Sequence, residues 1–299
     1  MEWFVFALFA PILWAGTDVI DKYILTRHVR NPFSYQLLFL LTEIPIPFLL
    51  IALAPVSFRF PWSALGILAG FILFQSFLLY FKAMAVEEAS RVISLVYVGP
   101  IFILPLAFIF LGETLGVPQY LGVVLLVLSA MLVSYRKIKG KKSLVVSPAL
   151  GFMLTFAVIH AGYEILAKHI ISSIDYWCFL FWWLIGGLVG GFLLFCFPRV
   201  RMDFLSDLRT VSKSVFFWRS FCTCLFFIGV ISYYAAVSIE SISLVAAVPS
   251  TEPFFVFLFT VLLGSFVPGM LNEEVNKQAI TLKMSTFILI ILGAWLIAG

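Results

Sequence analysis

Apolar residues run along this chain in blocks close to the roughly 20 residues that a helix needs to cross a bilayer. Short polar, glycine or proline stretches separate them. The blocks predict ten helices, over 3–25, 33–55, 62–85, 89–111, 117–135, 148–171, 176–197, 215–238, 242–264 and 281–298. Five precede the basic run Arg136-Lys137-Ile138-Lys139-Gly140-Lys141-Lys142 and five follow it, which divides the chain into 1–140 and 141–299. The first block has no basic segment before it and no small-residue cleavage site after it, so it is expected to remain as a helix.

Two patterns recur across that division. Trp14, Asp18 and Lys22 have the spacing of His160, Glu164 and Lys168, at a shift of 146 residues. Glu87, Ser90 and Pro100 match Glu240, Ser243 and Pro253 at a shift of 153. The seven extra residues are expected in the Phe197–Ser214 connection, because loops absorb insertions cheaply. Five helices per half is an odd number, so the second half must enter the membrane from the opposite side. The expected fold is an all-α integral membrane protein of ten transmembrane helices, arranged as two inverted five-helix repeats around a central cavity.

Composition agrees with a membrane solvent. The chain is 63% hydrophobic and 11% charged, too little polar surface for a water-soluble domain. Of its 19 Lys and Arg, all but Arg59 and Lys168 fall on one face of the predicted arrangement, Arg219 among them. The positive-inside rule then places the linker 136–142 in the cytoplasm and both termini outside, in a multi-pass protein of the plasma or inner membrane. The same rule accounts for the net charge of +4, so no nucleic-acid partner is expected. Cys178, Cys196, Cys222 and Cys224 lack zinc-ligand spacing, and no metal is expected.

Several short motifs in fixed order resemble the EamA family of the drug/metabolite transporter superfamily. They are Ala83-x-Ala85 leading to Ser90 and Pro100, then Phe110-Leu111-Gly112-Glu113, then Gln119-Tyr120-Leu121-Gly122 opening the fifth helix. In the second half, Ala235-Ala236 precedes the Glu252-Pro253 step in the ninth helix. The resemblance covers essentially the whole chain. It departs after the ninth helix, where Gly264-Ser265 and the polar insert containing Glu273 and Glu274 replace a Gly-Glu pair, and no role is carried to either acid. The resemblance implies a basket of inverted halves that moves small metabolites, often outward.

Ionisable groups at membrane depth must face the protein interior, pair or become neutral, because a charged side chain there costs about 2.5–3.5 kcal/mol. Asp18 and Glu164 each stand four residues before a lysine, the favourable order for a pair along one helix. These four residues are read as proton-coupling or gating groups, against the plainer role of neutralised pairs near the membrane edge. Trp14 and His160 lie deeper and are candidates for the cavity wall. Glu252 sits near the centre of the ninth span with no Lys or Arg within four residues and with Pro249 and Pro253 beside it. Proline frees backbone groups, which membranes tolerate only where the segment is buried or lines a cavity. Pro100 breaks the fourth helix in the matching place, near Tyr97. Glu43 and Gln75 lie mid-way along their helices and are expected to point inward, to substrate or to neighbouring helices. Asp21 is placed at the cytoplasmic edge without a special role, and Gly186-Gly187 and Gly190-Gly191 are read as packing residues.

The expected function is a secondary active or facilitative transporter, an exporter working by alternating access between the repeats. A small polar solute would bind between Trp14, Tyr97, His160, Glu252, Gln75 and Glu43. The expected partners are that solute and the lipid bilayer, in a monomer or homodimer. A flippase for lipid-linked carriers is the alternative, with Lys82, Arg91 and Arg219 available for a phosphate. An intramembrane enzyme is disfavoured, since no HExxH, GxSxG or Gly-x-Gly-Asp occurs; no nucleotide loop occurs either, and no cofactor is implied.

Overall fold

The computed structural model describes residues 2–87, 89–96, 99–133 and 149–266, with isolated positions between 285 and 296. Every regular element among the described residues is helical. The chain opens with α1 (Glu2–Arg27), α2 (Pro32–Glu43), α3 (Pro45–Leu53), α4 (Trp62–Val86), α5 (Ala89–Val96), α6 (Pro100–Leu111) and α7 (Val117–Val133). It continues with α8 (Leu150–Ile171), α9 (Tyr176–Cys196), α10 (Pro198–Thr210), α11 (Lys213–Ile239), α12 (Ile242–Val245), a 3-10 turn (Val248–Thr251) and α13 (Glu252–Phe266).

Seven segments are long and apolar enough to cross a membrane: α1, Pro32–Leu53, α4, α8, α9, α11 and Ile242–Leu262. They coincide with seven of the ten predicted blocks. α6 and α7 are apolar but shorter. Most of the tenth block and the linker 136–142 lie outside the described residues. The outer surface agrees with a lipid solvent: Phe48, Phe110 and Phe192 are 71%, 68% and 70% exposed, an arrangement that water would penalise.

Local chemistry sets the helix ends. The Asn31, Asp175 and Ser212 side chains accept from the amides of Phe33, Trp177 and Val215, capping α2, α9 and α11. Pro45 and Pro47 follow the end of α2 and restart the chain as α3. Gly112 closes α6 in the left-handed conformation, at φ 67°, where a Cβ would be strained. The Phe197–Ser214 connection is not the loop the sequence suggests. It holds the 13-residue α10, which buries Phe204 and leaves Arg199, Arg201 and Arg209 exposed. Its apolar spacing is too sparse for a span, so a length-based reading passes over it.

Two seams join helices from different halves. A Cβ added at Gly70 of α4 would fall 1.8 Å from the Trp183 carbonyl of α9, and one at Gly186 of α9 would fall 2.0 Å from the Ile67 carbonyl of α4. Only glycine lets these backbones approach so closely. α1 and α11 form the other seam, with Trp14 Nε1 donating to Phe226 O at 3.2 Å and Ser232 Oγ donating to Phe6 O at 2.8 Å. Between the seams, Phe77 meets Phe39, Phe81, Phe156 and Phe226 with ring centroids 5.9–6.4 Å away.

Candidate functional site

The apolar interior contains one large cavity among the described residues, with about 930 Å³ of empty space counted to its open mouth. Helices from both halves enclose it. α1 supplies Trp14 and Asp18; α4 supplies Phe77 and Tyr80; α8 supplies Phe156, His160, Tyr163 and Glu164. α9 and α11 contribute Trp183, Phe226, Tyr233 and Tyr234. The proline-broken segments close the remaining wall with Pro100, Pro249 and Glu252.

The ninth block is broken as its prolines predict. α12 ends at Val245, a 3-10 turn carries Pro249, and α13 starts at Glu252. This arrangement puts the buried Glu252 carboxyl, 3% exposed, at the first position of a helix. There the positive end of the helix dipole supports negative charge. Glu252 stands against Asp18, and the Tyr80 hydroxyl donates to Asp18 Oδ1 at 2.7 Å.

The second acid is held differently. Glu164 is 3% exposed; its Oε1 lies 3.6 Å from His160 Nε2, and Tyr233 stands against it. Its Oε2 has no hydrogen-bond partner. Nearby, the Tyr163 and Tyr234 hydroxyls share a hydrogen bond. The Tyr233 ring packs on Trp14 at 5.6 Å, and the His160 ring lies 5.4 Å from Phe156.

Neither lysine joins its expected acid. Lys22 donates to the carbonyls of Met84 and Glu87, the latter at 2.5 Å. Lys168 donates to Val237 O and Glu240 O, both at 2.6 Å. The partners of one lysine lie 153 residues beyond those of the other, and the lysines themselves are 146 apart. Each thus caps the C-terminal end of the third predicted span of its half, α4 for Lys22 and α11 for Lys168, where ammonium groups are favoured. Within-helix spacing predicted an i, i+4 pair, but buried carbonyls on a neighbouring helix compete successfully for the ammonium.

Other sequence-derived candidates separate on inspection. Glu43 is buried beside the main cavity, in a smaller pocket with Phe39, Phe74, Trp183 and Phe226. Gln75 is absent from the walls of either pocket. The α4 residues at 73, 77 and 80 share the cavity face, and position 75 points about 160–200° away from it. Tyr97 lies outside the described residues. Pro253 is buried one residue beyond Glu252 but does not line the cavity.

Asp21 does have a role. It forms a buried ion pair with Arg219, which is fully buried, donates to Thr223 Oγ1 at 3.2 Å and lies 4.3 Å from the centre of the Phe39 ring. Arg219 is therefore not a surface charge beside a loop. The four tyrosines of the cavity were also missed, hidden among the chain's many aromatic residues. One signal was present: Tyr80 and Tyr233 are separated by the same 153 residues as Glu87 and Glu240. Glu113, part of the family-like motif, sits away from the cavity. It accepts from the amides of Ile242 and Ser243 at 2.9 and 3.0 Å and from Ser243 Oγ at 2.5 Å, tying the first half to the start of α12.

Comparison with known proteins follows the same lines. Residues 1–135 match the EamA-like transporter family, which is part of the drug/metabolite transporter superfamily. No curated protein matches the chain. A solved structure, titled only as the crystal structure of a protein, superposes with a TM-score of 0.68 over 98% of this chain and 94% of its own. The two share 15% identity, so the similarity speaks for the fold alone.

Proposed function

We propose that this chain is a transporter of small molecules, working by alternating access around the cavity described above. One observation carries the reading: a cavity bearing three acids sits inside an apolar helical bundle, walled by helices from both halves of the chain. Buried acids in lipid are costly and mark solute or ion pathways. The match of residues 1–135 to a transporter family supports the same reading, as do the proline-broken segments at the wall. The recurrence of the lysine clamps at shifts of 146 and 153 favours two inverted repeats. The basic linker favours cytoplasmic placement of 136–142 with the termini outside, in a plasma or inner membrane, and an exporting direction is proposed from family likeness. We treat the monomer as the working unit, because the cavity is enclosed within one chain.

Reconstituted vesicles test the proposal. Wild-type protein should move at least one solute of a broad panel, and Glu252→Gln should reduce that flux by about 10-fold or more while the protein remains folded. No flux for any solute would remove the transport reading. The flippase alternative loses one of its basic residues, since Arg219 is buried against Asp21 and cannot meet a lipid phosphate.

A further inference from the structure

The cavity walls differ in charge from the chain as a whole. Three carboxyl groups, Asp18, Glu164 and Glu252, face the space, and among the described residues no Lys or Arg does, although the chain carries 19. Two of the acids, Asp18 and Glu252, stand against each other, and the Tyr80 hydroxyl donates to Asp18. Glu164 remains. It is 97% buried, it lines the cavity, and its Oε2 has no hydrogen-bond partner. His160 approaches only Oε1, at 3.6 Å, a long contact for a hydrogen bond. A buried polar atom left unpaired is costly, and native proteins rarely retain one without a purpose.

The surroundings of Glu164 specify the complement. Tyr163 and Tyr233 stand beside it, Phe156 lies two turns back along α8 on the same wall, and the tilted Trp14 ring lies 5.6 Å from Tyr233. Ring faces attract a desolvated cation, most strongly when it is an ammonium with a weakly hydrated body. A bare metal ion would need several oxygen or nitrogen ligands together, and no group of three or more His, Cys, Asp or Glu among the described residues could supply them. An anion would meet three acids with no lysine or arginine to balance them, and His160, the basic side chain on this wall, already lies against Glu164.

We propose that the cavity receives an organic ammonium ion, with its charge against Glu164 and its apolar body among Trp14, Phe156 and Tyr233. The inference rests on the transport reading in taking this cavity as the place where the solute sits. It goes further in naming the solute's charge and surface.

Three probes of nearly one shape test it. Choline carries a trimethylammonium group, 3,3-dimethylbutan-1-ol replaces that nitrogen by carbon, and 3,3-dimethylbutanoate is an anion with the same branched body. Binding to the purified full chain is followed by tryptophan fluorescence and by thermal stabilisation. Choline should bind about 10-fold or more tightly than the neutral alcohol. Glu164→Gln should remove most of that preference and leave affinity for the alcohol unchanged. Equal affinity for choline and the alcohol, or a preference for the anion, overturns the proposal. If the variant fails to fold, the comparison of probes on the wild-type chain still decides. The two readings fail separately. If vesicles move neutral or anionic solutes while choline neither binds nor competes, the ammonium assignment is wrong and transport stands. If choline binds selectively and no solute crosses, transport is wrong and the assignment stands.

Discussion

The two acid stations, Asp18 in α1 and Glu164 in α8, share a scaffold but not a chemistry. Around each, a lysine one turn on clamps the end of the third span of its half, α4 or α11, and a tyrosine from that helix meets the acid. Beyond the clamp they diverge. Asp18 is answered by Glu252, whereas Glu164 keeps an open oxygen and has His160 where the first station has Trp14. The neighbourhoods differ as well. Asp21 and Arg219 make a buried ion pair beside the first station; the positions matching them at shifts of 146 and 153 are Ala167 and Gly66, and Gly66 packs against Trp182. The backbone-directed contacts recur and the side-chain chemistry of the wall does not. A scaffold used twice can thus hold one saturated acid and one available acid.

The sharpest way to break this comparison is to remove the charge that only the first station possesses. Arg219→Ala strands Asp21 in the interior and should destabilise the protein by about 3–5 kcal/mol. Unfolding in detergent micelles would show the loss, and the double variant Arg219→Met with Asp21→Asn should regain much of it. A smaller effect tests what the stations share. Lys22→Met and Lys168→Met each remove an ammonium from two carbonyls, at about 1.5–3 kcal/mol apiece. Among the described residues the two clamps hold different carbonyls, so their combined effect should add to within about 0.5 kcal/mol. Strong non-additivity would mean that the two stations are coupled. Gly70→Ala probes the backbone-to-backbone seam of α4 with α9. Its methyl group would meet the Trp183 carbonyl, and overpacking of this kind costs about 1–3 kcal/mol. The mildest change is Thr42→Ala, which loses the 2.6 Å contact with Thr223 near Arg219 and should cost about 0.5–1.5 kcal/mol.

Much of the fold was legible, because span length and proline position are properties of the chain itself. The ends of α1, α4 and α9 fall within two residues of the blocks read from hydropathy, and Pro249 marks the break before Glu252. Trp14, His160 and Glu252 could be read as cavity residues for a related reason, that a polar group in an apolar run has few places to go, whereas Asp18 and Glu164 were read as gating groups and line the wall as well. Partnerships between helices were not legible. Lys22 and Lys168 were assigned to the acids beside them in sequence, and the carbonyls they reach are 62 to 72 residues away. Arg219 was counted with the basic loops because charge bias along a chain does not distinguish a cation at the water edge from one sealed behind Phe39. Gln75 looked inward by depth alone, and depth says nothing about the direction in which a helical side chain points.

The contact of α4 with α9 has a consequence for how such a cavity could change sides. Two helices held backbone to backbone through Gly70 and Gly186 do not slide or part without losing that fit. α4 comes from before the basic linker and α9 from after it. If solute passes by rocking, the rigid pieces are not the two stretches of sequence but composites, each borrowing a strut from the other, and the pivot runs through the gaps between composites rather than along the boundary at the basic linker.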